Sequence, residues 1–184
     1  MGLLTIIRKQ KLKDHEIRVL ILGLDNAGKS TIVSNLMGSD PRDVAPTTGF
    51  SIHTFPWKGY NINAWDIGGQ LSLRGFWSNY FDRSDVVIWV IDGSNLDQLE
   101  ESYRELREKV IQQDQLSGVY FVVLINKVDL MGDEEREQVK NMVEDELNLA
   151  SEVPLEKYTI RTVSGITGEG LHDAIDWIVD KDVW

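Results

Sequence analysis

Apolar residues follow two rhythms along this chain. In one, short runs rich in Val and Ile are nearly unbroken; in the other, apolar residues recur at the spacing of a helix face. Ile17 to Leu22 is interrupted only by Arg18 and reads as a strand buried on both faces. Ser51–Trp57 and Tyr60–Asp66 read as a hairpin turning at Lys58-Gly59. Pro56 lacks an N–H, which places its strand at a sheet edge or ends it there. Val86–Asp92, Val119–Asn126 and Tyr158–Ser164 complete six expected strands. Between them, Lys29 to Met37 reads as a helix, and so does the stretch carrying Leu99, Tyr103, Leu106 and Val110. Asp133 to Leu147 reads as a third helix, and Leu171, Ile175 and Ile178 mark a fourth. The pairs Glu100–Arg104, Arg104–Glu108 and Glu105–Lys109 are expected to solvate the outer face of the second helix. Strands and helices that alternate in this way predict an α/β fold: a mostly parallel six-stranded sheet flanked by helices.

Composition narrows the class without naming a chemistry. The chain has 184 residues, 42% of them apolar and 27% charged, which suits one domain of ordinary globular composition. A net charge of −11 argues against a broad nucleic-acid surface, since phosphate backbones require Lys and Arg. No cysteine is present, so disulfides, thiolate metal sites, prenylation and palmitoylation are excluded. No apolar run approaches the roughly 20 residues that span a bilayer. Near the start, Leu3, Leu4, Ile6 and Ile7 stand beside Arg8, Lys9, Lys11 and Lys13. Residues 1–14 are therefore expected to form a short amphipathic helix, followed by one domain over 15–184. Gly2 has Ile6 where a myristoylation signal needs Ser or Thr. The helix is expected to pack on its own domain, with membrane association weak or absent and a cytoplasmic location.

The chemistry begins at Gly23-Leu24-Asp25-Asn26-Ala27-Gly28-Lys29-Ser30. This run fits G-x-x-x-x-G-K-[ST] and sits between a strand and a helix, as the pattern requires. Glycines let backbone N–H groups close around crowded phosphates, and the helix start adds positive potential. Lys29 is placed to reach the outer phosphates, and Ser30 to give a hydroxyl to Mg²⁺. Asn126-Lys127-Val128-Asp129 selects the base. The Asp129 carboxylate can accept from guanine N1–H and the N2 amine, a donor pair adenine lacks. That mismatch is worth roughly 10²–10⁴-fold against adenine. Lys127 is expected along the base plane. In Trp65-Asp66-Ile67-Gly68-Gly69-Gln70, Asp66 can hold Mg²⁺ through a water, Gly69 can offer its N–H to a terminal phosphate, and Gln70 can orient the attacking water. Thr47 is a candidate second Mg²⁺ hydroxyl, and the adjacent Thr48 is equally competent. His15, His53 and His172 are scattered and make no metal set.

Taken in order, GLDNAGKS, PTTGF, WDIGGQ, NKVD and SGITGEG resemble the five nucleotide-binding motifs of small GTPases. The forms GLDNAGKS and WDIGGQ resemble the ADP-ribosylation factor and Arf-like family, and the opening MGLLTIIRKQK is most like its Arf-like protein 2 branch. The likeness covers essentially the whole chain. It implies the P-loop small GTPase fold, GTP or GDP with Mg²⁺ as ligands, and slow hydrolysis stimulated by a GTPase-activating protein. It extends the phosphate loop from Gly23 to Thr31 and selects Thr47 over Thr48 as the switch threonine. It places Ser164, Gly165 and Ile166 at the base, where backbone N–H groups meet the guanine O6. Gly165 stands where the family commonly has alanine, and Ile166 where many small GTPases have lysine. It makes Phe50, Trp65 and Tyr80 an aromatic trio presented to effectors. It further implies a register shift of the hairpin between the switches. Tubulin-folding cofactors and tubulin are the implied partners, with carriers of lipidated proteins as further ones and a microtubule association. An Arf-type role in membrane trafficking, or a nucleotide-loaded scaffold with little turnover, are the alternatives.

Overall fold

The computed structural model describes residues 14–181, together with Gly2, Leu3, Thr5, Ile6 and Gln10. The amphipathic helix expected over residues 1–14 falls mostly outside the described residues.

Six strands form one sheet: β1 (Glu16–Gly23), β2 (Phe50–Trp57), β3 (Tyr60–Ile67), β4 (Val86–Asp92), β5 (Tyr120–Asn126) and β6 (Tyr158–Thr162). Their order across the sheet is β2-β3-β1-β4-β5-β6, and only the β2–β3 pair is antiparallel. β2 is an edge strand, so the missing N–H of Pro56 costs no ladder bond in the interior of the sheet. The hairpin turns at Lys58 and Gly59, both at positive φ, the twist a two-residue loop requires.

The central strands are buried on both faces because helices cover both. On one face, Ile17, Val19 and Ile21 of β1 join Val86, Ile88 and Val90 of β4 beneath α1 (Lys29–Leu36) and α4 (Leu171–Val179). On the other, Leu20 and Leu22 join Val87, Trp89 and Ile91 beneath α2 (Leu99–Leu106) and α3 (Asp133–Leu147). A long 3-10 segment, Leu71–Arg83, runs between β3 and β4 and buries Arg74, Trp77 and Phe81. Among the described residues, no helix is long and apolar enough to cross a membrane.

One feature of α2 departs from its sequence pattern. The Glu105–Lys109 contact forms, at 3.7 Å, but Glu105 is only 7% exposed and also faces the Arg74 guanidinium at 3.7 Å. Helical spacing places Glu105 on a polar flank of α2, but it is the 3-10 segment that covers that flank.

Candidate functional site

The site gathers at the C-terminal ends of β1, β3, β4 and β5, where parallel sheets open a crevice. The loop after β1 wraps into α1, whose first residue is Lys29. Gly28 sits at φ +97°, and a Cβ there would stand 2.2 Å from the Asn126 amide nitrogen. Glycine at this position therefore lets Asn126 Nδ2 donate to the Ala27 carbonyl at 2.9 Å, tying the loop after β5 to the loop after β1. Lys29 is 6% exposed, and its Nζ donates to the carbonyls of Leu24 at 2.8 Å and Gly23 at 3.2 Å. Burial pulls its pKa down to about 8, against the opposing pull of Asp66 and Asp25.

Three oxygens converge beside it. Ser30 Oγ lies 2.5 Å from Thr47 Oγ1 and donates to Asp66 Oδ2, to which Thr47 also donates at 3.3 Å. Asp66 is buried, and its other oxygen, Oδ1, has no hydrogen-bond partner among the described residues. Two hydroxyls and a carboxylate, all hard oxygen donors, with one carboxylate oxygen unsatisfied, fit Mg²⁺. The described residues hold no cluster of His, Cys, Asp and Glu that could bind a metal by itself. The convergence brings Thr47, not Thr48, to the cluster. A cavity of about 240 Å³ adjoins it, lined by Asp25, Asn26, Gly28, Lys29, Thr31 and Gly69 among others.

The base-side residues form a second knot. Lys127, at φ +68°, donates from Nζ to the Asn26 carbonyl at 2.8 Å and to Asp92 Oδ2 at 2.7 Å. Ser164 Oγ donates to Asp129 Oδ1 at 2.7 Å. The Gly165 N–H donates to Asn126 Oδ1 at 2.9 Å, and the Ser164 N–H to the Glu169 carbonyl at 2.9 Å. Ile166 is exposed beside them. Two of the three backbone donors expected at the base are thus held by protein acceptors. Asp92 was not legible as a site residue, since it closes an ordinary Val-rich strand. Its register partner across the sheet is Asn126, which is the signal that places it there.

Switch-side residues also find partners that spacing does not show. Gly69 packs directly on the loop after β1, where a Cβ would stand 2.3 Å from the Gly23 carbonyl oxygen. Arg74, four residues after Gln70, is 6% exposed and turned inward. Its Nε donates to the Gly69 carbonyl at 3.0 Å, and a terminal nitrogen pairs with Glu101 at 2.6 Å. Gln70 itself is half-buried, at the entry to the 3-10 segment. Phe50, Trp65 and Tyr80 meet as a cluster, with ring centroids 5.5 to 6.3 Å apart, and Phe50 is 51% exposed.

The model of the ADP-ribosylation factor family matches residues 3–182. The chain belongs to the ADP-ribosylation factor family. Among curated relatives, it is 42% identical over 184 residues to ADP-ribosylation factor-like protein 2 of Dictyostelium discoideum, covering all of this chain and 96% of the relative. It is 43% identical over 180 residues to ADP-ribosylation factor-like protein alp41 of Schizosaccharomyces pombe, covering 98% and 94%. Among solved structures, the Arl6 BBS3 small GTPase of Trypanosoma brucei, with the nucleotide analogue GppNp bound, superposes at a TM-score of 0.77 with 26% identity, covering 90% of this chain and 96% of that one. This Arf-family protein is therefore a small GTPase, a switch that binds GTP or GDP with Mg²⁺ and hydrolyses GTP.

The depressed Lys29 pKa gives the Arf-family site a pH signature. Below about pH 8 Lys29 of the free protein is an ammonium; above it the amine is neutral, and pairing it with a phosphate would take up a proton. GDP affinity is expected to hold steady up to about pH 8 and to fall above it, steepening toward about tenfold per unit. Titration calorimetry in buffers of different ionisation enthalpy would show the proton uptake at pH 8.5. Affinity that stays level through pH 9 would count against the buried ammonium as the phosphate partner.

Proposed function

We propose that this Arf-family GTPase is a slow, Mg²⁺-dependent switch whose GTP form is read by tubulin-folding cofactors in microtubule biogenesis. Residues 15–184 carry the nucleotide cycle, and membrane association is weak or absent. The observation that carries the switch assignment is the convergence of Ser30, Thr47 and Asp66 oxygens beside buried Lys29. The tubulin role is supported by full-length likeness to relatives bearing the Arf-like protein 2 name.

In this reading, each residue has a defined task. Gly23 to Thr31 cradle the phosphates, and Lys29 turns its ammonium from the Gly23 and Leu24 carbonyls to phosphate oxygens. When bound, Mg²⁺ neutralises charge on the outer phosphates. Ser30 and Thr47 would hold it by their hydroxyls, with Asp66 as the nearby carboxylate. Asp129 accepts from the guanine edge, with Ser164 steadying its carboxylate. Lys127 flanks the base plane, Asn126 ties the two loops together and holds the Gly165 N–H, which sets the loop at the base, and the Ile166 N–H supplies a backbone donor. Thr47 and the Gly69 N–H both depend on the terminal phosphate, so its loss releases both segments. Phe50, Trp65 and Tyr80 present that change to partners.

Gln70 orients the attacking water. Arg74 is held by Gly69, Glu101 and Glu105 and supplies no charge to the terminal phosphate. An arginine finger is worth roughly 10³–10⁵ in rate, so unaided turnover is slow and an activating protein completes the site. Gln70→Leu is expected to lower the stimulated single-turnover rate by about 10²-fold while sparing GTP affinity. An unchanged stimulated rate would remove Gln70 from the mechanism.

Affinity capture from cytosol tests the cellular role, using the chain loaded with GDP or with a non-hydrolysable GTP analogue. Recovery of a tubulin-folding cofactor, favoured by one nucleotide, is the expected result. Coat proteins or membrane tethers in its place would move the protein to trafficking and reopen residues 1–14 as an anchor. Carriers of lipidated proteins would be compatible further partners.

A further inference from the structure

The peptide unit that joins Gly68 to Gly69 is held from outside the cavity. Trp77, in the 3-10 segment, donates its indole Nε1–H to the Gly68 carbonyl at 3.2 Å. A trans peptide is planar, with its C=O and N–H pointing in opposite directions. None of the peptides is cis among the described residues. Fixing the Gly68 oxygen toward Trp77 therefore fixes the Gly69 N–H pointing away from it. Gly68 and Gly69 both line the phosphate-side cavity with Lys29, Ser30 and Thr47, and the Gly69 N–H has no acceptor among the described residues.

The indole is itself immobilised. Trp77 is 1% exposed and stands edge-on to Trp89, with ring centroids 5.6 Å apart and planes at 83°. Trp89 in turn donates its Nε1–H to Ser102 Oγ on α2 at 3.0 Å. A buried ring clamped this way has little freedom to swing, so its N–H presents the Gly68 carbonyl with a donor fixed in direction.

We propose that Trp77 is a positioning residue for the switch: its indole N–H sets the plane of the Gly68–Gly69 peptide and so aims the Gly69 N–H at the terminal phosphate. This rests on the assignment of Gly69 under the proposed function. A tryptophan serving only as core filling would contribute by its ring. Here the N–H carries the selectivity between GTP and GDP, because GDP has no phosphate for Gly69 to meet.

Trp77→Phe keeps an aromatic ring in the pocket and deletes the donor. Affinities of the full chain for GDP and for a non-hydrolysable GTP analogue are measured with Mg²⁺ by fluorescent-nucleotide displacement. The expected result is unchanged GDP affinity with a roughly fivefold lower ratio of analogue to GDP affinity, the weight of one neutral hydrogen bond. A folded Trp77→Phe protein with the wild-type ratio overturns the proposal. Equal losses for both nucleotides also overturn it, since they mark a role in packing alone. If the phenylalanine variant fails to fold, benzothienylalanine at position 77 replaces the N–H by sulfur in a ring of nearly the same shape, and the same ratio decides. The wild-type chain is measured first. Its failure to bind either guanine nucleotide would overturn the underlying site assignment and the proposal with it, whereas a wild-type chain that binds both leaves the outcome to Trp77 alone.

Discussion

Asp129→Asn is expected to lower affinity for GTP and GDP by roughly 10²–10³-fold while leaving the fold intact. In the proposed role, the carboxylate accepts two hydrogen bonds, from N1–H and the N2 amine of guanine. An amide offers one acceptor and turns a donor toward the base, so one guanine N–H meets another N–H at close range. The fold should survive because Asn can still accept the bond that Ser164 Oγ now gives to Asp129 Oδ1 at 2.7 Å. The same geometry predicts a gain. Xanthine carries a carbonyl at C2 in place of the amine, and an amide donor at position 129 suits it, so xanthosine diphosphate should displace GDP from the variant. Competition binding with GDP, xanthosine diphosphate and ADP checks both directions at once. Retained GDP affinity in the variant would remove Asp129 from base selection.

Gly69→Ala is expected to uncouple the switch from the terminal phosphate. An alanine Cβ at position 69 would stand 2.3 Å from the Gly23 carbonyl oxygen, 2.4 Å from the Leu24 carbonyl carbon and 2.6 Å from the Asp25 backbone nitrogen. All three are backbone atoms of the phosphate loop, so no side chain can rotate to make room. Either the switch segment retreats or the loop deforms, and the segment is the softer of the two because the loop leads directly from β1 into α1. With the Gly69 N–H withdrawn, the hydrogen bond proposed between it and a charged phosphate oxygen is lost. The ratio of GTP-analogue to GDP affinity should fall roughly 10- to 100-fold, with hydrolysis falling alongside it. Thermal stability should fall as well, by about 1–3 kcal/mol, since the added Cβ meets fixed backbone and something must shift. A variant that keeps the wild-type nucleotide preference would show that switch and loop do not need the close approach seen here.

Gly69→Ala and Trp77→Phe act on the same peptide from opposite sides. The alanine pushes the Gly69 backbone away from the loop, whereas the phenylalanine only releases the Gly68 carbonyl from its donor. The first effect should exceed the second, and the double variant should resemble Gly69→Ala alone, since a displaced peptide gains nothing from being aimed.

Much of this protein was legible without coordinates, for a common reason. The phosphate loop, the Asn126–Asp129 motif and the Asp66–Gln70 motif are contiguous runs whose backbone shape and chemistry are set by neighbours in sequence. The six strands and the helices α1 to α4 are likewise local, announced by apolar runs and helical spacing. Order in the chain also fixes which strand ends carry the site, because parallel strands present all their loops on one side. Even the edge position of β2 was signalled by one residue, Pro56, through the N–H it lacks.

Tertiary structure decided which polar and aromatic side chains point inward. Helical spacing places Glu105 among solvent-facing charges, yet the 3-10 segment buries it against Arg74. Arg74 stands four residues after Gln70, a separation that does not say where its guanidinium points; packing turned it to the Gly69 carbonyl and Glu101. Asp92 became the partner of Lys127 only through the register of β4 on β5. Trp77 met Gly68 because the eight residues between them fold back, most of them as a 3-10 segment, a path no periodicity in the sequence announces. Local elements follow from short-range sterics and patterning, which a linear sequence displays. The direction a buried charge or indole faces follows from which element covers it, and that depends on contacts between segments far apart in the chain.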